Sequence, residues 1–310
     1  MSGPFPPPLR EESRRPGIDA RVGGDSFAAP EITRKEGPLL NLGIVGLGAI
    51  GRTVCRTVVA GGEGGGEFRA RVAAVTSRDR AKAEDFLRAL GGSPPPGMPL
   101  EDLIARSDLV VEAAGGPVVP SLAEAVFDAG KDLMVISVGA FLSRPDLVER
   151  ARREGRRLYI PTGALAGLDG VKSAMAGRVD RVVMTTRKPP RGLAGAPHLV
   201  RNNISLDGLR EPKVVFEGSA LEALRGFPEN VNVCAGLSLA GIGPEKTRIR
   251  VIADPGIERN MHTYEVVGEA GRMTVQIENI PTENPKTGRL TAMAIIAGLR
   301  EIADSLHVGT

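Results

Sequence analysis

From Leu39 onward the apolar positions of this chain alternate between two spacings. "LLNLGIV" (39–45) is a short, nearly unbroken apolar run, the mark of a strand buried on both faces. "AIGRTVCRTVVA" (49–60) then places its apolar residues at helical spacing. The exchange repeats. "ARVAAVTSR", "SDLVVEAAG", "DLMVISVGA" and "RRLYIPTGA" read as further strands. Between them, "DRAKAEDFLRAL" (opened by Asp79), "PSLAEAVFDAG" (stopped by its glycine) and "RPDLVERARREG" read as helices. Strands separated by helices of about a dozen residues require a parallel sheet with right-handed crossovers, a Rossmann-type doubly wound domain.

Past about Gly170 the pattern becomes β-rich. "VDRVVMTTRKPP", "KVVFEGSA", "TRIRVIADP", "HTYEVVGEAG" and "RMTVQIENI" are strand-like, and "EAG" reads as the turn of a hairpin between the last two. "GRLTAMAIIAGLREIADSL" closes the chain as one amphipathic helix. The fold class is therefore α/β: a dinucleotide-binding domain over 41–165 and a smaller α+β substrate or dimerisation domain over 166–286. The closing helix, 287–310, is expected to pack back on the first domain. Residues 1–40, rich in Pro, Arg and Glu without periodicity, read as a disordered or loosely docked extension.

Composition narrows the function classes. Charged residues make up 25% of the 310, but the net charge is only +3, with no dense basic block, and aromatics amount to 3% with no Trp. Nucleic acid is not an expected partner. The longest apolar runs fall short of a membrane span, and the N-terminus lacks the apolar core of a secretory signal. Two cysteines in segments that read as buried, Cys55 and Cys234, fit a reducing cytoplasm. Neither a C-x-x-C pair nor a histidine pair at ligand spacing occurs, so no metal site is expected.

The chemistry begins at "GLGAIG". Gly46, Gly48 and Gly51 form G-x-G-x-x-G between a predicted strand and a predicted helix, with Ala49 and Ile50 opening that helix. In this setting the glycines serve the tight turn, the approach of a pyrophosphate and close helix packing. A nicotinamide dinucleotide, NAD or NADP, is the expected cofactor. At the end of the second strand stand Ser77 and Arg78. An arginine here suits a 2′-phosphate, which favours NADP or use of both coenzymes.

Further motifs follow in order: "GIVGLGAIG", "VVEAAG", "ISVGAF", "IPTGALAGLDG", "TTRKPP", "FPENVNVCAGLSLAG", "DPGIERNMH" and "IENIPTENPKTGRLTAMAI". From about Leu42 to Leu306 the chain resembles the L-aspartate dehydrogenase family. The resemblance implies NAD(P)-dependent, reversible conversion of L-aspartate to iminosuccinate, hence to oxaloacetate and ammonia, in the supply of NAD biosynthesis or in amino-acid catabolism. It implies His262 as the acid/base residue, and Ala164 and Asn232 as cofactor contacts. Thr162 stands where the family usually has Ser, and Leu165 and Ala166 where Ile and Gly are common. Which alanine of "GALAG" faces the nicotinamide stays open. The implied assembly is a homo-oligomer, a dimer foremost.

Such a reaction needs a group that exchanges protons near neutral pH, and histidine is that side chain. The dianionic substrate needs clamps. Arg187, Lys188, Arg259 and Lys286 are candidates, with Lys188 and Lys286 preferred because prolines flank their loops. His198 and His307 have no expected role. The rival readings are another two-domain enzyme, of the homoserine dehydrogenase or dihydrodipicolinate reductase type, and a non-catalytic NADP(H) sensor.

Overall fold

A computed structural model of the chain describes residues 39–61, 68–228, 231–280, 288–304 and 307–309. The expected N-terminal extension lies outside them apart from its last two residues, as does Lys286. Five strands, β1 (Leu40–Val45), β2 (Ala70–Thr76), β3 (Leu109–Glu112), β4 (Asp132–Val135) and β5 (Leu158–Tyr159), form one wholly parallel sheet in the order β2-β1-β3-β4-β5. Helices cover both of its faces. On one side lie α1 (Ala49–Val59) and α2 (Arg80–Leu90), which bury Val54, Cys55, Val58, Phe86 and Leu87 against Leu42 and Ile44. On the other lie α3 (Leu100–Arg106), α4 (Val119–Asp128), α5 (Ala140–Ser143) and α6 (Pro145–Arg153), which bury Leu103, Leu122, Val126, Phe141 and Leu147. Asp79 caps α2 as its position suggests, accepting the Lys82 N–H at 3.1 Å.

Two expected strands are cut short, for one physical reason. β4 ends at Val135 and β5 at Tyr159, and the remaining motif residues leave the sheet. Side chains compete for their backbone groups. Glu112 accepts the Ser137 N–H at 3.0 Å, Asn232 Oδ1 accepts the Gly139 N–H at 3.0 Å, and Asn279 donates to the Ala164 carbonyl at 3.1 Å. The released segments become walls of a cavity.

After α7 (Leu168–Ala174) comes a mixed sheet built of β6 (Val179–Lys188), β7 (Lys213–Ser219), β8 (Arg248–Ala253), β9 (Asn260–Gly268) and β10 (Gly271–Asn279), with α8 (Pro197–Arg201), α9 (Ala220–Gly226) and α10 (Asn232–Ala240) between them. The strand order is β10-β9-β6-β8-β7, with only β6 and β8 parallel. The expected hairpin joins β9 to β10, turning at Gly271 with φ +110°. Alternate residues of β6 (Val182, Met184, Thr186, Lys188) and of β9 (His262, Tyr264, Val266) are buried on one face. That face packs on α7, α9 and α10 through Val171, Ala220, Ala223, Cys234 and Leu237. The last helix, α11 (Arg289–Ala303), places Ile295 and Leu299 in the core of the parallel sheet beside α1. Among the described residues no helix is long and apolar enough to cross a membrane.

Candidate functional site

β1 and β3 are neighbours, but the chain leaves them in opposite directions across the sheet. Loops at such a switch point part and open a crevice at the strands' carboxyl ends. A cavity of about 820 Å³ lies there. The glycine loop forms one wall. Gly46 holds φ +98°, and a Cβ on Gly51 would lie 1.9 Å from the Gly46 carbonyl oxygen, so the turn and the helix can coexist only with glycine at both positions. Gly48, Ala49 and Ile50 line the cavity.

The opposite wall comes from the mixed sheet. His262 lies on the face that buries Tyr264 and Val266, one step nearer the strand end, and lines the cavity together with Lys188 and Asn260. Register places Thr186 of β6 directly across from it, and the Thr186 hydroxyl is 3.1 Å from His262 Nδ1. His262 is only 4% exposed and Lys188 5%, so both side chains are withdrawn from bulk water. Burial, and secondarily the charge of Lys188, push the imidazole down from 6.5 to about 3. The ring is therefore neutral at physiological pH, with Nδ1 engaged by Thr186.

The halves of the chain match different descriptions. Residues 46–161 match the profile "Homoserine dehydrogenase, NAD binding domain", and residues 169–302 match "Aspartate dehydrogenase, C-terminal". L-aspartate dehydrogenase 3 of Bordetella bronchiseptica is 46% identical over 271 residues, spanning 87% of this chain and 98% of that protein. This chain belongs to the L-aspartate dehydrogenase family. The L-aspartate dehydrogenase of Methanosarcina mazei is 42% identical over 88% of this chain and 100% of its own. The crystal structure of aspartate dehydrogenase from Thermotoga maritima, 25% identical, superposes with a TM-score of 0.65 over 87% of this chain and 99% of that one.

Of the residues that the aspartate dehydrogenase resemblance singled out, His262, Ala164 and Asn232 all line the one cavity. The loop carrying Ala164 is pinned twice. Asn279 holds the Ala164 carbonyl, and the Tyr264 hydroxyl donates to the carbonyl of Ala166, which itself does not line the cavity. Asn232, at the start of α10, ties that helix to the loop after β4. Lys188 is in place. Arg187 points away and pairs with Asp254 at 3.5 Å, and Arg259 is exposed outside the cavity. Ser77 and Arg78 also lie outside it, next to the glycine loop through a Gly46 N–H bond to the Thr76 carbonyl of 2.8 Å. Cys234 is buried, donates to the Val231 carbonyl, and does not line the large cavity; burial raises its thiol to about 12. His198 lies in α8, with its ring packed on Phe216 and Phe227 at 5.2 and 5.4 Å.

Sequence reasoning passed over Glu112. It ends β3, is fully buried, and its carboxylate accepts from the Ala114 and Gly115 N–H groups at 2.8 and 2.7 Å and from both the backbone and the hydroxyl of Ser137 at 3.0 Å. All these partners donate, so the carboxylate oxygens act as acceptors throughout the cluster. The signal was available: an acid closing the otherwise apolar strand "LVVE" before "AAGG". Glu112→Gln turns an amide N–H against the Ser137 N–H. It is expected to cost about 1–3 kcal/mol of stability, the cost of one unmatched buried polar group. Urea unfolding checks this, and an unchanged midpoint would show that the cluster is not coupled to folding.

Proposed function

We propose that this chain is a nicotinamide-dependent L-aspartate dehydrogenase with His262 as its acid/base residue. The observation that carries the reading is a neutral, water-shielded histidine beside a buried lysine, facing a glycine loop across one cavity. The residues fit the coenzyme. A Cβ built on Gly48, Gly115 or Gly116 meets nothing within 4 Å, so the loops leave open space where a pyrophosphate backbone would run, at the amino end of α1. Gly48, Ala49 and Ile50 would hold the phosphates, and Ala164 and Asn232 the nicotinamide side. When bound, the coenzyme accepts the hydride that leaves C2 of aspartate. His262 takes the proton that the substrate nitrogen sheds as the C=N bond of iminosuccinate forms, and returns it in the reverse direction. Lys188 holds a substrate carboxylate. Thr186 fixes the ring so that Nε2 is presented to the cavity.

Coenzyme choice follows the same reading. Asp79, the nearest acid after β2, is spent on the α2 cap and on Lys82, 2.9 Å away, which leaves exposed Arg78 to meet a 2′-phosphate. Purified protein given oxaloacetate and ammonia should oxidise NADPH, with a lower Michaelis constant than for NADH, and Arg78→Ala should narrow the difference. Equal constants, or a preference for NADH, would remove the role given to Arg78. Tight NADPH binding without turnover would identify a coenzyme sensor instead. Turnover with another carbonyl substrate but not with oxaloacetate and ammonia would favour a homoserine dehydrogenase-type enzyme.

A further inference from the structure

The cavity has a third polar wall that neither the glycine loop nor the histidine accounts for. It is built where β10 ends and α11 begins. α11 has fifteen residues, a bare glycine N-cap at Gly288 and no acidic residue in its first turn, so its positive end is not neutralised from within. Gly288 and Thr291 line the cavity. Thr291 is 9% exposed, and its hydroxyl, which makes no side-chain hydrogen bond to another described residue, is not among sealed-off polar atoms, so the oxygen is accessible on a side chain that lines the cavity. A hydroxyl that is open at a cavity wall, on a side chain otherwise nine-tenths buried, is placed to bond whatever fills that cavity.

The surroundings match an anion of carboxylate size. Asn279 lines the cavity here, and Asn260, its partner across β10 and β9, lines it from the adjoining histidine wall; both carry neutral side-chain amides. Asn279 also fixes the approach of the helix. A Cβ on residue 288 would come within 3.2 Å of the Asn279 Cβ, so the glycine lets the helix end draw close to the sheet. His262 pairs with Ile277, two residues before Asn279, which puts this wall next to the proton-exchanging group.

We infer that the amino end of α11, with the Thr291 hydroxyl, is the subsite for one carboxylate of a four-carbon dicarboxylate whose other carboxylate goes to Lys188. This rests on the function proposed above and adds the basis of its selectivity: the second clamp is a helix end with neutral donors. A monocarboxylate of similar size would leave that donor set unmatched and be bound poorly.

The test compares Thr291→Val, which removes the hydroxyl at constant shape, with Thr291→Ser, which keeps it. Three readouts are taken: the Michaelis constants for oxaloacetate and for pyruvate, the NADPH dissociation constant from fluorescence, and calorimetric titration of succinate into the NADPH-bound protein. Thr291→Val should raise the oxaloacetate constant roughly tenfold or more, the loss of one hydrogen bond to a charged group. It should weaken succinate in step and shrink the preference over pyruvate, while NADPH affinity stays put and Thr291→Ser restores the rest. Unchanged succinate binding in Thr291→Val overturns the assignment. So does a loss of NADPH affinity in that variant, which would give Thr291 to the coenzyme. If the wild-type protein fails to turn over oxaloacetate, the enzymatic reading falls, and the succinate titration still decides the subsite by itself.

Discussion

His262→Ala is expected to lower turnover of aspartate by roughly 10²–10⁴-fold, the usual share of a positioned general acid or base, while NADPH affinity stays within about twofold. The split follows from where the residue sits. His262 belongs to β9 of the mixed sheet, whereas the glycine loop belongs to the parallel sheet, so truncating the ring leaves the glycine turn untouched. Among the described residues the ring makes one side-chain hydrogen bond, with Thr186. Thr186→Val should therefore give a smaller fall in turnover by freeing the ring without removing it. Fluorescence titration of NADPH beside steady-state rates checks both halves. Near wild-type turnover in His262→Ala ends the assignment, and a collapse of NADPH affinity would move His262 from proton exchange to coenzyme binding.

The architecture was legible because its signals are local. A continuous apolar run, a glycine turn and a 3.6-residue period each sit within a dozen neighbouring residues, and so β1, α1 and β2 and the β9–β10 hairpin appear where the pattern puts them. Other features depend on contacts between distant segments. "ISVGAF" and "YIPTGA" carry strand-like composition, but their backbone groups are taken by Glu112, Asn232 and Asn279, the last two coming from far along the chain. No local window contains that competition. The electrostatic state of His262 is likewise a product of register. The bond between Thr186 and His262 requires β6 and β9 to pair at that offset, and the effect of Lys188 requires it to share the buried face two residues on. From sequence, an unperturbed histidine near neutrality was the natural expectation; the fold turns it into a strongly depressed one. The alternation that buries Tyr264 and Val266 also shows why His262 resembles a core residue from its pattern alone.

Lys188→Met is expected to raise the Michaelis constant for the dicarboxylate roughly a hundredfold, since one partner of a buried charge pair is lost, and also to alter how His262 responds to pH. Burial is the larger cause of the depressed imidazole and the lysine the smaller, so removing the lysine should move the ring upward yet leave it below 6.5. A histidine NMR titration, with the resonance of interest identified by its loss in His262→Asn, reads this directly. The same depression predicts a stability slope, with a definite sign. Below about pH 6.5 the unfolded chain binds a proton at position 262 that the folded chain refuses until about pH 3. Through this window folding stability falls as pH falls, by about 1.4 kcal/mol per pH unit from this residue. Urea unfolding of the wild type and His262→Asn at pH 7, 6, 5 and 4 should show the wild type losing ground to the variant at each step; parallel curves would mean that the imidazole is not held neutral. A dianion bound next to Lys188 offsets the charge that disfavours the imidazolium, so succinate binding to the coenzyme complex near pH 5 should take up protons, and should take up fewer as the pH rises. Calorimetry in buffers of different ionisation enthalpy measures that uptake. A value of zero at every pH would separate the lysine from the histidine and leave the carboxylate clamp and the proton exchanger as independent parts of the site.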